Sequence, residues 1–165
     1  MMKSFRNATI EDLPQIVTIY NSTIEDGFST ADSVRVSADE KVDWFRGHDK
    51  EKHPILVKEY HGKIIAWVSL QPFYPHLAYE KSARINIYVD SNFQGKKLGQ
   101  MFLEEILNMS DRYNIENFLA YIFTDNTNSL KLFKKLGFKE WGNFPNIAKI
   151  QNNYKDLVIL GVNVK

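Results

Sequence analysis

The sequence has no cysteine among its 165 residues. Disulfides, a thiol nucleophile and thiolate metal sites are therefore excluded. Proline is sparse and scattered (Pro14, Pro54, Pro72, Pro75, Pro145), so no proline-rich linker divides the chain and each proline is expected to mark a turn. Neither sign of charge dominates: 21 basic against 20 acidic side chains leave a formal net charge of +1. That balance argues against nucleic acid held by a bulk basic surface, while leaving room for a small local basic patch. No apolar run approaches the roughly 20 residues that cross a bilayer, and Met1 to Ile10 carries no apolar stretch of signal length. His48, His53, His61 and His76 lack metal-ligand spacing, so no metal site is expected. These absences lead us to expect a cytoplasmic protein with no membrane or nucleic-acid partner.

What is present fits a packed domain. Hydrophobic residues make up 44% and aromatics 13%, too much for a disordered chain. A chain of this length buries roughly 70% of its unfolded surface, and one domain over residues 1–165 is expected. Phe5 to Ala8 reads as a strand. Thr9 reads as an N-cap with Asp12 three residues on, followed by Leu13, Ile16, Val17 and Tyr20 at helical spacing. Asn21 to Val36 reads as a loop or broken helix, and Ser37 caps a second helix through Trp44 and Phe45. Ile55 to Tyr60 and Lys63 to Leu70 read as strands joined by a turn at His61-Gly62. Ser82 to Val89 is a further strand, Gly99 to Arg112 a helix, Phe118 to Phe123 a strand, and Asn126 to Leu136 a helix stopped by Gly137. Phe138 to Trp141 and Leu157 to Val164 close the chain as strands. Early hairpins and a late strand–helix–strand unit predict a mixed α/β sheet covered by helices.

Two stretches carry chemistry. In the first, the strand through Arg84 to Val89 gives way to a polar loop, Asp90 to Phe93, and then to Gln94-Gly95-Lys96-Lys97-Leu98-Gly99 at a helix start. Amides at a helix start lack internal partners, and the helix dipole adds partial positive charge. Such a turn suits phosphate, and Lys96 and Lys97 add charge. The alternative is an ordinary solvated helix start. The second stretch runs from Asn126 to Phe138. Asn126 can cap its helix, and Leu130, Phe133 and Leu136 recur at helical spacing, so taken alone it is an amphipathic helix.

Together the stretches resemble the GNAT superfamily of acetyl-CoA-dependent N-acetyltransferases. The pyrophosphate motif Gln/Arg-x-x-Gly-x-Gly/Ala appears as Gln94, Lys97 and Gly99. The motif Asn-x-x-Ala/Ser-x-x-Leu-Tyr with a Gly-Phe ending appears as Asn126, Ser129, Leu132, Phe133, Gly137 and Phe138. Ile19-Tyr20-Asn21, Ala78-Tyr79, Ile87-Tyr88-Val89 and the tail from Phe144-Pro145 through Tyr154, Asp156 and Leu157 are similar to the phosphinothricin acetyltransferase-like branch.

The resemblance implies a mostly antiparallel sheet splayed between its fourth and fifth strands, with acetyl-CoA in the opening. Ile87, Tyr88 and Val89 would pair with the pantetheine arm. Gln94, Gly95, Lys96, Lys97, Leu98, Gly99 and Gln100 would hold the pyrophosphate. Asn126, Ser129 and Phe133 would complete the cofactor site. Tyr74, Pro75, His76, Arg84, Ile85 and Asn86 would meet the substrate. The reaction would be direct attack of an amine on the thioester, with a backbone N–H of the fourth strand polarising the acetyl carbonyl. With no cysteine to form an acetyl-enzyme, transfer within a ternary complex is favoured. Phosphinothricin and methionine sulfoximine are the implied acceptors. The alternatives are another amine (a protein N-terminus, a polyamine, an aminoglycoside) or a catalytically weak acyl-CoA sensor. A homodimer is implied, with the aromatic tail from Trp141 to Tyr154 as its interface.

Three positions depart from the pattern. Lys97 replaces the middle glycine of the phosphate motif, and a helical φ there would suit lysine. Phe133 replaces a tyrosine that serves many members as general acid. Arg84 stands where the branch has a glutamate proposed as base. Arginine stays protonated, with a pKa above about 12, and cannot take a proton from an ammonium. Arg84 is therefore either a clamp for a substrate carboxylate or phosphinate, or a structural partner of Glu80, Glu25 or Asp26. Glu25 is a candidate base. Lys131, Lys134 and Lys135 read as a solvated helix face or as CoA-phosphate contacts, and Trp44, Trp67 and Trp141 as core or interface anchors.

Overall fold

The computed structural model describes residues 2–24, 30–95 and 97–165. The described strands are β1 (Arg6–Asn7), β2 (Ile55–Tyr60), β3 (Lys63–Pro72), β4 (Ser82–Val89), β5 (Asn117–Phe123), β6 (Lys139–Ile150) and β7 (Asn153–Asn163). The helices are α1 (Leu13–Ile24), α2 (Val42–Arg46), α3 (Leu98–Asn108) and α4 (Thr127–Lys135). The strands form one sheet in the order β1-β2-β3-β4-β5-β7-β6. Every neighbouring pair is antiparallel except β4 with β5. This is the expected mixed, mostly antiparallel architecture.

Strand alternation divides the core between the two faces of the sheet. Val68, Leu70, Ala83 and Ile85 pack with Phe102, Ile106, Phe118 and Phe133 beneath α3 and α4. Ile55, Val57, Ile64 and Trp67 pack with Leu13, Ile16 and Ile19 of α1 on the opposite face. The α1 entry follows its sequence signal: the Asp12 carboxylate accepts the Thr9 backbone N–H at 2.8 Å. Ser37 and Glu40 cap each other across the turn that leads into α2, at 3.3 and 3.0 Å. The β2–β3 turn holds His61 and Gly62 at φ of 49° and 73°, the left-handed pair a tight hairpin needs.

Several boundaries differ from expectation, among them the end of the third helix, which stops at Asn108 and not at Arg112. The helix α1 continues past Asn21 to Ile24. Asn21 looks like a breaker, yet its buried amide clamps the returning chain by donating to the Val36 carbonyl (2.8 Å) and accepting the Val36 N–H (2.9 Å). The strands β6 and β7 are longer than predicted and form a hairpin that starts at Lys139 and Asn153. Most of β6 faces outward, so no alternation of apolar residues announces it. Pro145 lies inside β6 at a register break between Phe144 and Ala148, not at a turn between elements.

Candidate active site

The site begins with a failure of strand pairing. β4 and β5 share register at Ser82↔Asn117, Ala83↔Phe118 and Arg84↔Leu119, and nowhere beyond. β4 then continues to Val89 paired to β3, and β5 to Phe123 paired to β7. The facing edges, residues 85–89 and 120–123, diverge and present backbone N–H and C=O groups with no strand partner on that side. Such groups need partners from elsewhere.

On the α3 and α4 face the divergence opens into a groove of about 770 Å³. Ile87, Tyr88 and Val89 form one bank, and Gln94, Gly95, Lys97, Gly99 and Gln100 curve round its end. Asn126, Ser129 and Phe133 form the other bank, with Lys131 and Lys135 above them. Asp90 anchors the loop by accepting the Asn92 N–H (2.9 Å), and the Gln94 amide donates to the Val89 carbonyl (3.0 Å). Gly95 has φ of 75°. Lys97, the N-cap of α3, has φ of 60°, so the expected helical φ is corrected to a left-handed one. A Cβ added to Gly99 would lie 3.5 Å from Leu132, so α3 and α4 approach closely here. Asn126 caps α4 by accepting the Ser129 N–H at 3.2 Å. Phe133 is buried and meets Phe138 edge-on at 4.9 Å, so it belongs to the core as well as the groove wall. Leu98 packs against the core and is absent from the lining, and Lys96 lies outside the described residues.

On the α1 and α2 face the divergence meets a second cavity, of about 490 Å³. Its floor consists of cross-strand pairs from β3 and β4: Gln71 opposite Arg84, Ser69 opposite Asn86, and Trp67 opposite Tyr88. Tyr20 of α1 and Trp44 of α2 wall one end, while Tyr121, Phe123 and Leu157 wall the other side. The rings interlock, with Trp67 against Tyr88 at 4.6 Å, Tyr20 against Tyr88 at 5.4 Å and Trp44 against Trp67 at 5.6 Å. Asn86, Tyr88 and Tyr121 line both the groove and the cavity, so they frame the passage through the sheet.

The cavity holds donors without acceptors. Arg84 lies 4.2 Å over the Tyr121 ring, and its buried Nε has no hydrogen-bond partner. Its expected structural partner Glu80 pairs instead with Lys52, at 3.5 Å. Glu25 and Asp26 lie outside the described residues. The indole N–H of Trp67, a residue only 3% exposed, is likewise unpartnered. Asn86 donates to Ser69 Oγ at 3.3 Å. Burial pushes the Tyr88 phenol up to about 12, against the opposing pull of Arg84, so it stays protonated at neutral pH. No carboxylate or imidazole lines the cavity among the described residues.

The chain thus brings Arg84, Ile85, Asn86, Ile87, Tyr88 and Val89 together with the loop and the second motif. It does not bring Tyr74, Pro75 or His76 to either chamber: they are exposed on the β3–β4 connection, where His76 Nδ1 accepts the Ala78 N–H at 3.1 Å. Sequence reasoning missed Tyr20, Trp44, Trp67 and Tyr121 as cavity walls. The signal was faint: odd-numbered Trp67, Ser69 and Gln71 interrupt an otherwise apolar strand on one face.

Comparisons with known proteins agree with this geometry. Residues 5–159 match the family model described as acetyltransferase (GNAT) domain. The Bacillus subtilis (strain 168) protein "Putative phosphinothricin acetyltransferase YwnH" is 40% identical, covering 96% of this chain and 97% of that protein. An N-acetyltransferase structure from Staphylococcus aureus Mu50 superposes with a TM-score of 0.90 at 27% identity, covering 100% of this chain and 99% of that one. The L-methionine sulfoximine/L-methionine sulfone acetyltransferase of Pseudomonas paraeruginosa (strain DSM 24068 / PA7) is 25% identical, covering 99% of this chain and 96% of that protein. With its splayed sheet and both motifs in place, the chain belongs to the GNAT acetyltransferase family.

Proposed function

We propose that the protein transfers the acetyl group of acetyl-CoA to the amine of a small anionic acceptor of the amino-acid type, as phosphinothricin and methionine sulfoximine are. The observation that carries this reading is the passage framed by Asn86, Tyr88 and Tyr121, which joins an anion-friendly groove to a cavity containing an unpaired guanidinium.

The groove fits CoA in kind. Its open β4 edge offers backbone groups to an amide-bearing arm, and the first amides of α3 with Lys97 suit a diphosphate. Lys131 and Lys135 extend the positive charge along the groove. The cavity fits the acceptor: Arg84 grips the acid and the passage receives the amine. Attack then occurs directly, and the Tyr88 region supplies the backbone donor for the acetyl oxygen.

Thiol release from acetyl-CoA across a panel of amines tests the proposal. Amino-acid analogues should turn over fastest, ahead of polyamines, aminoglycosides and peptide N-termini. Tight CoA binding with no turnover on any amine would overturn it in favour of a sensor. We also propose a homodimer. Trp141, Phe144, Ile147 and Tyr154 are 40–63% exposed on the outer β6–β7 hairpin, a long edge that a second copy would cover. Light scattering at micromolar concentration tests this, and a monomer refutes it.

A further inference from the structure

An amine that attacks a thioester must first lose a proton, and among the described residues the cavity walls hold nothing ready to take it. The titratable side chains that line the cavity are Tyr20, Lys41, Arg84, Tyr88 and Tyr121. Lysine and arginine are donors at neutral pH, and the Tyr88 phenol is held protonated by burial. One wall residue nevertheless has a carboxylate directly behind it. The Tyr20 hydroxyl donates to the carboxylate of Asp32, which lies on the chain returning from α1 towards α2. With that proton committed, Thr30 Oγ1 donates to Tyr20 Oη at 2.5 Å, and the Asp32 backbone N–H donates back to Thr30 Oγ1 at 3.3 Å. The three residues form a closed ring of hydrogen bonds. A phenol oxygen has two acceptor sites, so one remains for a donor in the cavity.

The position is suitable. Tyr20 meets Tyr88 edge-on at 5.4 Å, and Tyr88 frames the passage where the amine would meet the acetyl group. The groups that face Tyr20 are Asp32 and Thr30 on the returning chain, Tyr88 on β4 and Lys41 before α2, whose Nζ lies 5.9 Å from the ring centre. Among these described groups Asp32 carries the one carboxylate, the side-chain type that can take up a proton. Burial first, and the bond to Asp32 second, raise the Tyr20 phenol above its ordinary value, so it relays a proton without resting as a phenolate.

We propose that Tyr20 and Asp32 form the proton exit of the acceptor site. This rests on the acetyl-transfer reading above. The ammonium N–H bond breaks and its proton passes to Tyr20 Oη as the phenol proton passes to the Asp32 carboxylate. Tyr20 is unchanged, Asp32 becomes a carboxylic acid, and the amine becomes a free nucleophile. The N–C bond then forms and the C–S bond breaks. The second amine proton goes to the leaving thiolate, and Asp32 returns its proton to solvent. The arrangement explains how the site functions with Arg84 on its floor, because the proton leaves by the opposite wall.

The pH dependence of kcat/KM for the wild type, Asp32→Asn and Tyr20→Phe, on the best amine found, tests the route. Both substitutions keep the side-chain shape, and unchanged CoA affinity with a melting temperature near that of the wild type establishes that the variants are folded. We expect each variant to lose on the order of 10²-fold at neutral pH. The loss should shrink to a few-fold one to two units above the amine pKa, where the free amine needs no acceptor. A loss that is equal at every pH would reduce the pair to positioning residues and overturn the route, as would no loss at all. If the wild type acetylates nothing, the acetyl-transfer reading fails and the route falls with it. Turnover by wild type and variants alike defeats the route alone.

Discussion

The groove and the cavity meet at three residues but are built on opposite principles. The groove is lined mainly by β4, the loop after it and the start of α3, with the facing edge of β5 and one side of α4 from Asn126 to Lys135 as its other bank. On the proposed reading it recognises through backbone groups, so side chains there can vary. The cavity is assembled from α1, the chain returning from it, α2, β3, β4, β5, β6 and β7, and on the proposed reading it recognises through side-chain tips. One substitution there changes what can bind. The contrast accounts for the departures from the family pattern. On the proposed reading Lys97 sits where backbone geometry carries the function, whereas Arg84 and Phe133 sit where a side chain does, and Arg84 changes the chemistry of the floor.

The largest break in this contrast should come from Arg84→Met. The straight apolar chain keeps the packing on Tyr121 and removes the charge. A charge-assisted hydrogen bond contributes about 1.5–3 kcal/mol, so kcat/KM for an anionic amine should fall roughly 10–150-fold. The affinity for acetyl-CoA should not move. Steady-state kinetics with calorimetric CoA binding checks both, and equal losses on anionic and uncharged amines would remove Arg84 from acceptor recognition.

Trp67→Phe should act more gently on the same side. Its indole N–H has no bond to lose in the free protein, so the melting temperature should change little. If the acceptor supplies the missing partner, kcat/KM should fall about 3–10-fold, the value of one neutral hydrogen bond. A large destabilisation without a kinetic effect would make Trp67 purely a packing residue.

The opposite pattern is expected in the groove. Asn126→Ala removes the cap on α4, which costs about 1 kcal/mol, or roughly 2–4 °C in melting temperature. If the same bank faces the cofactor, as proposed, the KM for acetyl-CoA should rise while preference among amines stays constant. Differential scanning fluorimetry and the amine panel together check this.

The same division decided what could be read from the residues. The order of elements and the groove were legible, because a strand, a glycine-containing loop and a helix start leave local marks at Gln94, Gly99 and Asn126. The splay itself was reached through family resemblance, since no local signal says where the β4–β5 register stops. The cavity was mostly illegible. Trp44 and Trp67 look like core residues because they are also core residues, and only the place of Trp67 across from Tyr88, with Trp44 against it, shows the second role. Asn21 reads as a loop residue because its partners at Val36 are fifteen positions away. The outer part of the β6–β7 hairpin, beyond Trp141 and before Leu157, escaped because an exposed edge has no inward-facing apolar set.

Lys97 tests the contrast at its smallest scale. A lysine held at φ of 60° pays about 1–2 kcal/mol that glycine does not, so the backbone path of the loop outweighs the comfort of the residue. Lys97→Gly releases that cost and gives back about 0.5–1 kcal/mol through the greater freedom of the unfolded chain. The net gain should be at most about 1.5 kcal/mol, a rise of up to roughly 6 °C in melting temperature. Lys97→Ala keeps the strained Cβ and removes the charge, and so separates the two effects. If Lys97 pairs with a phosphate, both variants should bind CoA a few-fold more weakly, and added salt should erase the difference. If the side chain turns away, both should bind as the wild type does, and only the glycine variant should be more stable. A glycine variant that is no more stable than the alanine variant would mean that the loop does not hold position 97 in the left-handed region.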